Sequence, residues 1–298
     1  MKINFNEEIA GALHFERPIV ALESTVISHG LPHPRNLDTA IRLEQIVREG
    51  GAIPATIAMF KGEIAAGLSP EQIEFLATDK NIRKLSRRDL AIAVAQKLNG
   101  ATTVSTTTLI AHQAGFNVFA TGGIGGVHRG YSADVSADLP ELARTPIIVV
   151  CSGAKAILDL QATREWLETN GVPVLGWKCD RMPAFYSATS DLDVDERVDS
   201  ALDVSRIADA RRELGLNSAL LVTVPVPAGY GMESPEVEAL IEAAMSAAET
   251  QGVAGKKLTP FLLNELSQKS GGKTLAANVA LLENNARVAA EIAVALNF

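Results

Sequence analysis

Two side chains stand where apolar segments end and could carry covalent chemistry. Glu23 follows the apolar run 18–22, and Lys155 comes four residues after the run 146–151. A carboxyl group at the end of a buried strand is a candidate general acid, although it could instead cap a helix or form a surface ion pair. A lysine among small and apolar residues can form a Schiff base with a sugar aldehyde, although it could also extend to solvent from a first helical turn. The residue types alone leave both interpretations open.

A group of cations and a glycine-rich loop could each bind an anion. Four cations fall within six residues of a chain whose net charge is −8, at Arg83, Lys84, Arg87 and Arg88. One or more could hold a phosphate through charge-assisted hydrogen bonds, and the alternative is a solvated turn before a helix that Ser86 and Asp89 cap. The loop 122–130 could offer backbone N–H groups to an anion, although its glycine spacing does not match the dinucleotide-binding fingerprint.

Three potential metal ligands lie within eleven residues of one another, at His128, Asp134 and Asp138. They could hold a hard divalent cation that keeps most of its water ligands. The alternative is that the two acids are only solvated. No Cys/His spacing in the chain is typical of a zinc site.

Short apolar runs that alternate with amphipathic segments indicate the elements that position these side chains. Buried strands are predicted at 19–22, 53–59, 118–120, 147–151, 172–175 and 219–224, with a hairpin turn at Lys61 and Gly62. Helical periodicity is found at 37–48, 156–169, 200–214, 235–250, 260–268 and 275–296. The pattern predicts one α/β domain over 1–298, with three α/β/α layers and a mixed central sheet. Because ligands of such folds bind at the carboxyl ends of strands, Glu23 and Lys155 are expected at one edge of the sheet.

The composition excludes several classes of function. With 27 Lys and Arg against 35 Asp and Glu, an extended basic surface for nucleic acid or an anionic membrane is not expected. A small-molecule anion needs only a local basic pocket, so a small-molecule ligand remains compatible with this charge. No apolar stretch reaches the roughly 20 residues that span a bilayer. Two cysteines exclude a disulfide framework, and residues 1–8 carry acids where a signal peptide would be apolar. We therefore expect a cytoplasmic protein.

Seven stretches, together with Asn278, closely resemble the pseudouridine-5′-phosphate glycosidase family, also called the indigoidine synthase A-like family. Two of them are Ala-Leu-Glu-Ser-Thr-Val-Ile-Ser-His-Gly at 21–30 and Cys-Ser-Gly-Ala-Lys at 151–155. The others are 84–90, 99–104, 121–130, 136–139 and 259–263. The stretches occur in the order of the family and span nearly the whole chain, so the resemblance is specific.

The resemblance implies reversible conversion of pseudouridine 5′-phosphate and water into uracil and ribose 5-phosphate, with a manganese-type divalent ion and a homotrimer. It implies that Lys155 is the nucleophile, Glu23 the proton donor and Asp134 the metal ligand. The implied substrate-binding residues, which include two supporting residues of the site, are Lys84, Val104, Ser136, Ala137, Asp138, His128 and Asn278.

The reaction explains why a lysine and a carboxyl group are needed. Uracil leaves through a carbon atom, so protonating a heteroatom bridge is not an available route. Attaching C1′ of the sugar to a lysine amine gives an iminium that accepts the electrons of the breaking bond. An acid must protonate the ring oxygen, and uracil C5 must also gain a proton. One lysine and one carboxyl group are therefore the minimum set.

Two positions depart from the family pattern, and two other functions remain compatible with the sequence. The loop between Gly130 and Asp134 is two residues shorter than usual, so the metal assignment depends on aligning 135–138. An arginine is expected where Ala188 stands. The alternatives are a C-glycosidase or lyase acting on another phosphorylated nucleoside-like compound, and a sugar-phosphate-binding protein without catalysis. The presence of both Glu23 and Lys155 argues against the binder, because binding a sugar phosphate needs neither.

Overall fold

The structure is a computed structural model that describes residues 1–130, 133–253 and 258–296. The strands in these residues are β1 (Ile3–Phe5), β2 (Ile19–Glu23), β3 (Ile53–Phe60), β4 (Glu63–Ala66), β5 (Arg83–Leu85), β6 (Gly100–Thr102), β7 (Val118–Ala120), β8 (Val127–His128), β9 (Ile148–Cys151), β10 (Leu158–Asp159), β11 (Val174–Trp177), β12 (Glu196–Val198) and β13 (Leu220–Thr223). The α-helices are α1 (Glu7–His14), α2 (Arg35–Glu49), α3 (Pro70–Thr78), α4 (Leu90–Ala95), α5 (Val104–Gln113), α6 (Asp138–Leu142), α7 (Leu160–Thr169), α8 (Ala201–Glu213), α9 (Ser234–Thr250), α10 (Leu258–Lys269) and α11 (Lys273–Ala295). A π-helical turn covers Val26–Gly30, and a 3₁₀ turn covers Arg87–Asp89.

One sheet of 11 strands runs through the described residues. Its main path is β1-β4-β3-β2-β7-β9-β13-β11-β12, with β5 and β6 attached beside β3. From β3 to β12 every pair of neighbours on this path is parallel. Strands β2 and β9 are buried at every residue. Because side chains alternate between the two faces of a strand, full burial means that both faces of the sheet are covered. The predicted three-layer fold is confirmed.

The sheet is mixed because β4 and β6 both pair antiparallel with β3. Lys61 and Gly62 join β3 to β4, and their φ angles are 50° and 80°. A two-residue turn with two positive φ angles matches the twist of the flanking strands. The predicted hairpin is therefore confirmed. The same arrangement brings β5, which pairs parallel with β6, beside the sheet and positions Lys84 there.

Two helices pack against the strands that carry the candidate site. Helix α11 lies against β2, β7 and β9, and it also contacts α2 and α8. Its buried face contains many alanines, including Ala286, Ala289 and Ala290, whose small side chains let a long helix approach the strands closely. Helix α5 packs against β2, β3, β6 and β7, and its first residue follows the cap residue Thr103. Among the described residues, no helix combines the length and the apolar character that a membrane span requires.

The predicted helix over 156–169 is wrong at its start. Leu158 and Asp159 form β10, which pairs antiparallel with β8 across the glycine-rich loop. The Asp159 side chain then accepts from the N–H of Ala162 and caps α7, which begins at Leu160. A local acceptor for the first helical N–H groups sets the start of a helix more strongly than apolar periodicity does. Lys155 therefore lies in a loop and not in a first helical turn.

Candidate active site

The candidate site lies at the carboxyl ends of three neighbouring parallel strands. Glu23 is the last residue of β2, Thr121 follows β7, and Lys155 comes four residues after β9. These strands are adjacent in the order β2-β7-β9. Their carboxyl ends share one edge of the sheet, which is where α/β folds bind ligands. The structure thus brings together the two residues that the sequence singled out for covalent chemistry.

Two adjoining cavities meet at this edge. Both are lined by Glu23, Thr25, Lys84 and Lys155. The first cavity is completed mainly by apolar groups and by three polar side chains: Val26, His29, Gly30, Leu31, Thr121, Gly122, Gly123, Phe185, Leu263, Asn278 and Leu282. The second cavity is completed by Ser86, Thr103, Val104, Gly125, His128, Ser136, Asp138, Ile157 and Leu158. The shared residues form the junction between an apolar compartment and a hydroxyl-rich one.

The Glu23 carboxyl group is buried and held by two threonines. The Thr25 hydroxyl donates to Glu23 Oε2, and the Thr121 hydroxyl donates to Glu23 Oε1. Glu23 is only 6% exposed, so these hydroxyls replace water around it. A hydroxyl can rotate to accept a proton as readily as it donates one. The two threonines can therefore stabilise Glu23 both as a carboxylate and as a protonated acid, which a proton donor requires.

Lys155 is placed by two loops that are hydrogen-bonded to each other. Its N–H donates to the Ile124 carbonyl (3.1 Å), and the Ile124 N–H donates to the Gly153 carbonyl (3.1 Å). Gly153 has φ 84°, and a Cβ there would overlap the Pro183 carbonyl oxygen, so glycine is required at this turn. The half-buried Lys155 side chain reaches the junction of the cavities. Burial raises the pKa of the nearby Cys151 thiol to about 12, so its reactive thiolate does not compete with the lysine at neutral pH.

Asn285 on α11 ties these two loops to the helix behind them. Its side-chain amide donates to the Thr121 carbonyl (2.8 Å) and also pairs with the Ser152 hydroxyl (3.2 Å). Asn285 is fully buried, so each of these bonds replaces a lost bond to water. The residue therefore positions both Thr121 and the Lys155 loop. This role was not predictable from the sequence, because Asn285 lies far along the chain from both.

The glycine-rich loop packs tightly, and several of its backbone N–H groups are used within the protein. The N–H groups of Thr121, Ile124, Gly125, Val127 and His128 all donate to acceptors within the protein. A Cβ on Gly123 would lie 2.7 Å from the Phe185 ring, which is closer than real contacts allow. The glycines are thus needed because neighbouring groups approach the backbone closely.

Asp138 supports the second cavity through its carboxylate. It accepts from the N–H of Ser105 (2.8 Å) and from the N–H of Gly125 (2.8 Å). It thereby joins the start of α5 to the glycine-rich loop and is only 6% exposed. Ser136 lines the same cavity, whereas Ala137 lines neither cavity. The predicted segment 136–138 is therefore at the site. The Ser136 hydroxyl oxygen accepts from the Asp138 N–H (3.3 Å), and its own proton can be donated to a ligand.

Of the four cations near residue 85, only Lys84 lines the cavities. Arg83 donates to Asp89 (3.0 Å), and Arg87 forms a double hydrogen bond to the fully buried Glu141 (2.8 and 3.1 Å). The N–H of Ser86 donates to Asp89 Oδ2 (3.0 Å), as the capping interpretation predicted. The basic cluster is therefore partly structural. Its contribution to an anion site comes from Lys84.

Val104 contributes a helix N-terminus to the second cavity. It is the first residue of α5, whose opening N–H groups lack acceptors within the helix. The N–H of Ser105 is already used by Asp138, and Thr106 donates to the Thr103 hydroxyl (3.5 Å). With Lys84, Ser86 and Ser136 nearby, this end of the helix offers positive potential and donors suited to a phosphate.

The predicted metal ligand Asp134 lies outside both cavities. Its side chain is exposed, and its backbone carbonyl accepts from the His128 N–H (2.9 Å). Across the described ranges, no group of three or more His, Cys, Asp or Glu side chains could enclose a metal ion. One exposed carboxylate is suited to a hard cation that keeps most of its waters, and not to a closed protein cage. Tyr131 and Ser132, in the shortened loop before it, lie outside the described residues.

His29 is a site residue that carried no assignment from the sequence. It lies in the π-helical turn after β2 and lines the first cavity. Burial, and secondarily the charge of Lys84, lower the pKa of His29, so its ring is neutral at pH 7. Single π-helical turns are rare and often occur at functional sites, but apolar periodicity cannot reveal them. Ala188, the other departure from the family pattern, is exposed and lines neither cavity.

The chain is similar over almost its whole length to proteins of one family. A family profile described as indigoidine synthase A like protein matches residues 8–295. A pseudouridine-5′-phosphate glycosidase of Caldanaerobacter subterraneus subsp. tengcongensis is 51% identical over 297 residues, which cover 99% of this chain and 97% of that protein. One from Escherichia coli strain K12 is 49% identical over 294 residues, covering 98% and 94%. The crystal structure of the prealnumycin C-glycosynthase AlnA in complex with ribulose 5-phosphate has a TM-score of 0.91 and 39% identity, with 99% and 97% covered.

Proposed function

The chain belongs to the indigoidine synthase A-like protein family, and we propose that it catalyses the reaction for which its relatives are named. It is a pseudouridine-5′-phosphate glycosidase: it cleaves the C-glycosidic bond of pseudouridine 5′-phosphate with water, reversibly, to give uracil and ribose 5-phosphate. One structural observation supports this most strongly. Glu23 and Lys155 both line the junction of an apolar compartment and a phosphate-compatible one.

In the first step, the neutral amine of Lys155 attacks C1′ of the ribose. The C1′–O4′ bond breaks, its electron pair stays on O4′, and the ring oxygen takes a proton from Glu23. The product is an open-chain sugar joined through C1′ to both uracil and Lys155. The Thr25 and Thr121 hydroxyls that donate to Glu23 then stabilise the carboxylate that remains.

In the second step, the attacking nitrogen, which became positively charged on binding C1′, gives one proton to the Glu23 carboxylate, and the lone pair that remains forms an iminium with C1′. The bond from C1′ to uracil C5 breaks, and its electron pair takes the proton from Glu23 at C5, which releases uracil. Water then adds to C1′, and the C1′–nitrogen bond breaks to give ribose 5-phosphate and the free lysine. One water is consumed, and no oxidant or reductant is needed.

The two cavities divide the substrate between them. The second cavity takes the 5′-phosphate, because Lys84, the N-terminus of α5 and the Ser86 and Ser136 hydroxyls supply positive charge and donors. The first cavity takes the base, because Phe185, Leu263 and Leu282 offer apolar surface and Asn278 offers an amide that can pair with a pyrimidine edge. This division leaves C1′ at the junction, beside Lys155 and Glu23. His128 faces the phosphate side of the site.

Four further properties are part of the proposal. A hydrated divalent ion such as Mn²⁺ would be held by the Asp134 carboxylate and would supply positive charge. The single domain over 1–298 and the homotrimer follow from the sequence resemblance, and sedimentation analysis checks the trimer. A cytoplasmic location is supported by the free thiols of Cys151 and Cys179, which suit a reducing compartment.

The activity is tested by mixing the protein with uracil, ribose 5-phosphate and Mn²⁺ and following ultraviolet absorbance and the mass of the product. Formation of pseudouridine 5′-phosphate is expected. Binding of ribose 5-phosphate without any product would identify a sugar-phosphate-binding protein instead.

A second candidate is favoured by one observation. The similar structure with ribulose 5-phosphate is that of a C-glycosynthase whose name refers to prealnumycin and not to uracil. If this chain joins ribose 5-phosphate to an aromatic carbon other than uracil C5, uracil will be inert. A larger aromatic acceptor will then be consumed in the same assay.

A further inference from the structure

His29 presents a buried nitrogen to the first cavity without a partner. Its Nε2 atom is shielded from solvent and has no hydrogen-bond partner in the described part of the chain. Buried polar atoms in folded proteins are almost always paired, so such an atom at a ligand cavity indicates a group that the ligand satisfies. Asn278 and Phe185 line the same cavity as His29.

The protonation state of the ring limits which kind of partner Nε2 needs. Burial, and secondarily the charge of Lys84, lower the pKa of His29, so the ring carries a single proton at neutral pH. A neutral imidazole has one donor nitrogen and one acceptor nitrogen. With the proton on Nδ1, Nε2 is a bare acceptor that requires a donor from the ligand.

The base offers such donors, and its attachment leaves them accessible. A uracil ring bonded to the sugar through C5 keeps both ring N–H groups, N1–H and N3–H, in the substrate and in the product. The Asn278 amide can pair with one donor and one acceptor of this ring, which leaves an N–H for another acceptor. The sugar phosphate binds on the opposite side of the junction, in the second cavity, which His29 does not line.

We propose that His29 is a base-binding residue: in its Nδ1–H tautomer, its Nε2 accepts a hydrogen bond from a ring N–H of uracil. This inference rests on the proposed function and adds to it the residue that recognises the base. His29→Leu replaces the ring with an apolar side chain of similar size and so removes the hydrogen-bond acceptor. His29→Gln keeps an acceptor on a flexible side chain. His112→Leu, an exposed change in the last turn of α5 outside both cavities, is the matched control.

The KM for uracil at saturating ribose 5-phosphate and the KM for ribose 5-phosphate at saturating uracil separate base binding from sugar binding. In His29→Leu the first is expected to rise roughly tenfold to a hundredfold, because a buried donor of the base is left unpaired, and the second to stay within about twofold. His29→Gln should recover part of the loss, and His112→Leu should match the unaltered protein. Methylating the ring nitrogen that donates to His29 removes the proposed hydrogen bond. For one of the two bases 1-methyluracil and 3-methyluracil, the preference for uracil over the methylated base should therefore fall about tenfold in His29→Leu.

The inference is overturned if the KM for uracil is unchanged in His29→Leu or if both KM values rise equally. Unchanged discrimination against both methyluracils overturns it as well. An equal loss in His29→Leu and His29→Gln, with intact folding by circular dichroism, also contradicts an acceptor role. Failure of the unaltered protein to join uracil to ribose 5-phosphate refutes the proposed function itself, so the two failures are distinguishable.

Discussion

Replacing Gly125 with alanine tests whether the glycine-rich loop positions the phosphate side of the site by close packing. A Cβ at Gly125 would lie 2.6 Å from both Ser136 Cβ and Asp138 Oδ2, where an ordinary contact begins at 3.4 Å. Rotating the serine hydroxyl away does not relieve the overlap, because Ser136 Cβ is itself too close. The segment must therefore move by about 0.8 Å or strain the hydrogen bond from the Gly125 N–H to Asp138.

The overpacking is expected to lower the free energy of unfolding by about 1–3 kcal/mol. A displacement near 1 Å in a group that contacts substrate can reduce kcat/KM by roughly a hundredfold. Most of this loss should be in the KM for ribose 5-phosphate, since Ser136 lies in the second cavity.

The measurements are urea unfolding and the KM and kcat of the synthesis reaction. The matched control is Gly11→Ala in α1, where an added Cβ meets nothing within 4 Å. This control should leave the kinetics unchanged and add up to about 1 kcal/mol of stability through helix propensity. A Gly125→Ala protein with kcat/KM within threefold of the original would refute the reasoning. So would a loss confined to the KM for uracil.

Further outcomes are expected for the nucleophile, the phosphate site, the metal and a buried histidine. Borohydride added during turnover should fix ribose 5-phosphate to Lys155, as peptide mass spectrometry would show. Lys155→Ala and Lys155→Arg should lose both adduct and turnover, because a guanidinium cannot form the imine; near-normal turnover of Lys155→Ala, or an adduct on Lys84, would contradict this. Pseudouridine without its phosphate should react at least a hundredfold more slowly in kcat/KM, and Lys84→Ala should narrow that difference; equal rates for both substrates would sink the phosphate assignment. Exhaustive chelation should abolish turnover until Mn²⁺ is restored, and Asp134→Ala should raise the Mn²⁺ concentration required; full activity after chelation would argue against a metal. Because the folded pKa of His29 lies below 6.5, the unfolded chain binds more protons as pH falls through that value, and stability decreases. Urea unfolding at pH 7.5 and 5.5 should show the unaltered protein losing stability relative to His29→Gln at the lower pH, and a pH-independent difference would contradict it.

Local sequence determined the layers of the fold and identified the two candidate catalytic residues, Glu23 and Lys155. The strands β2, β7 and β9 were predictable because each is an apolar run bounded by turn residues, which is the pattern of a strand buried on both faces. The hairpin at Lys61 and Gly62 was predictable because the turn chemistry involves adjacent residues. Glu23 and Lys155 could be selected because Glu23 ends one of these strands and Lys155 comes four residues after another, and the family resemblance assigned their roles.

Tertiary structure decided which neighbours each of these residues meets. That Thr121 holds Glu23, that Asp138 supports the glycine-rich loop and that Asn285 ties two loops together all depend on residues far apart along the chain. The division of the basic cluster, in which Arg87 pairs with the buried Glu141 and Lys84 faces the cavities, has the same origin. A single π-helical turn places His29 in the cavity wall, and no periodic pattern marks it. Strand and helix formation follow from interactions between residues close in sequence, whereas the polar partners of a site are fixed only when the sheet edge brings distant loops together.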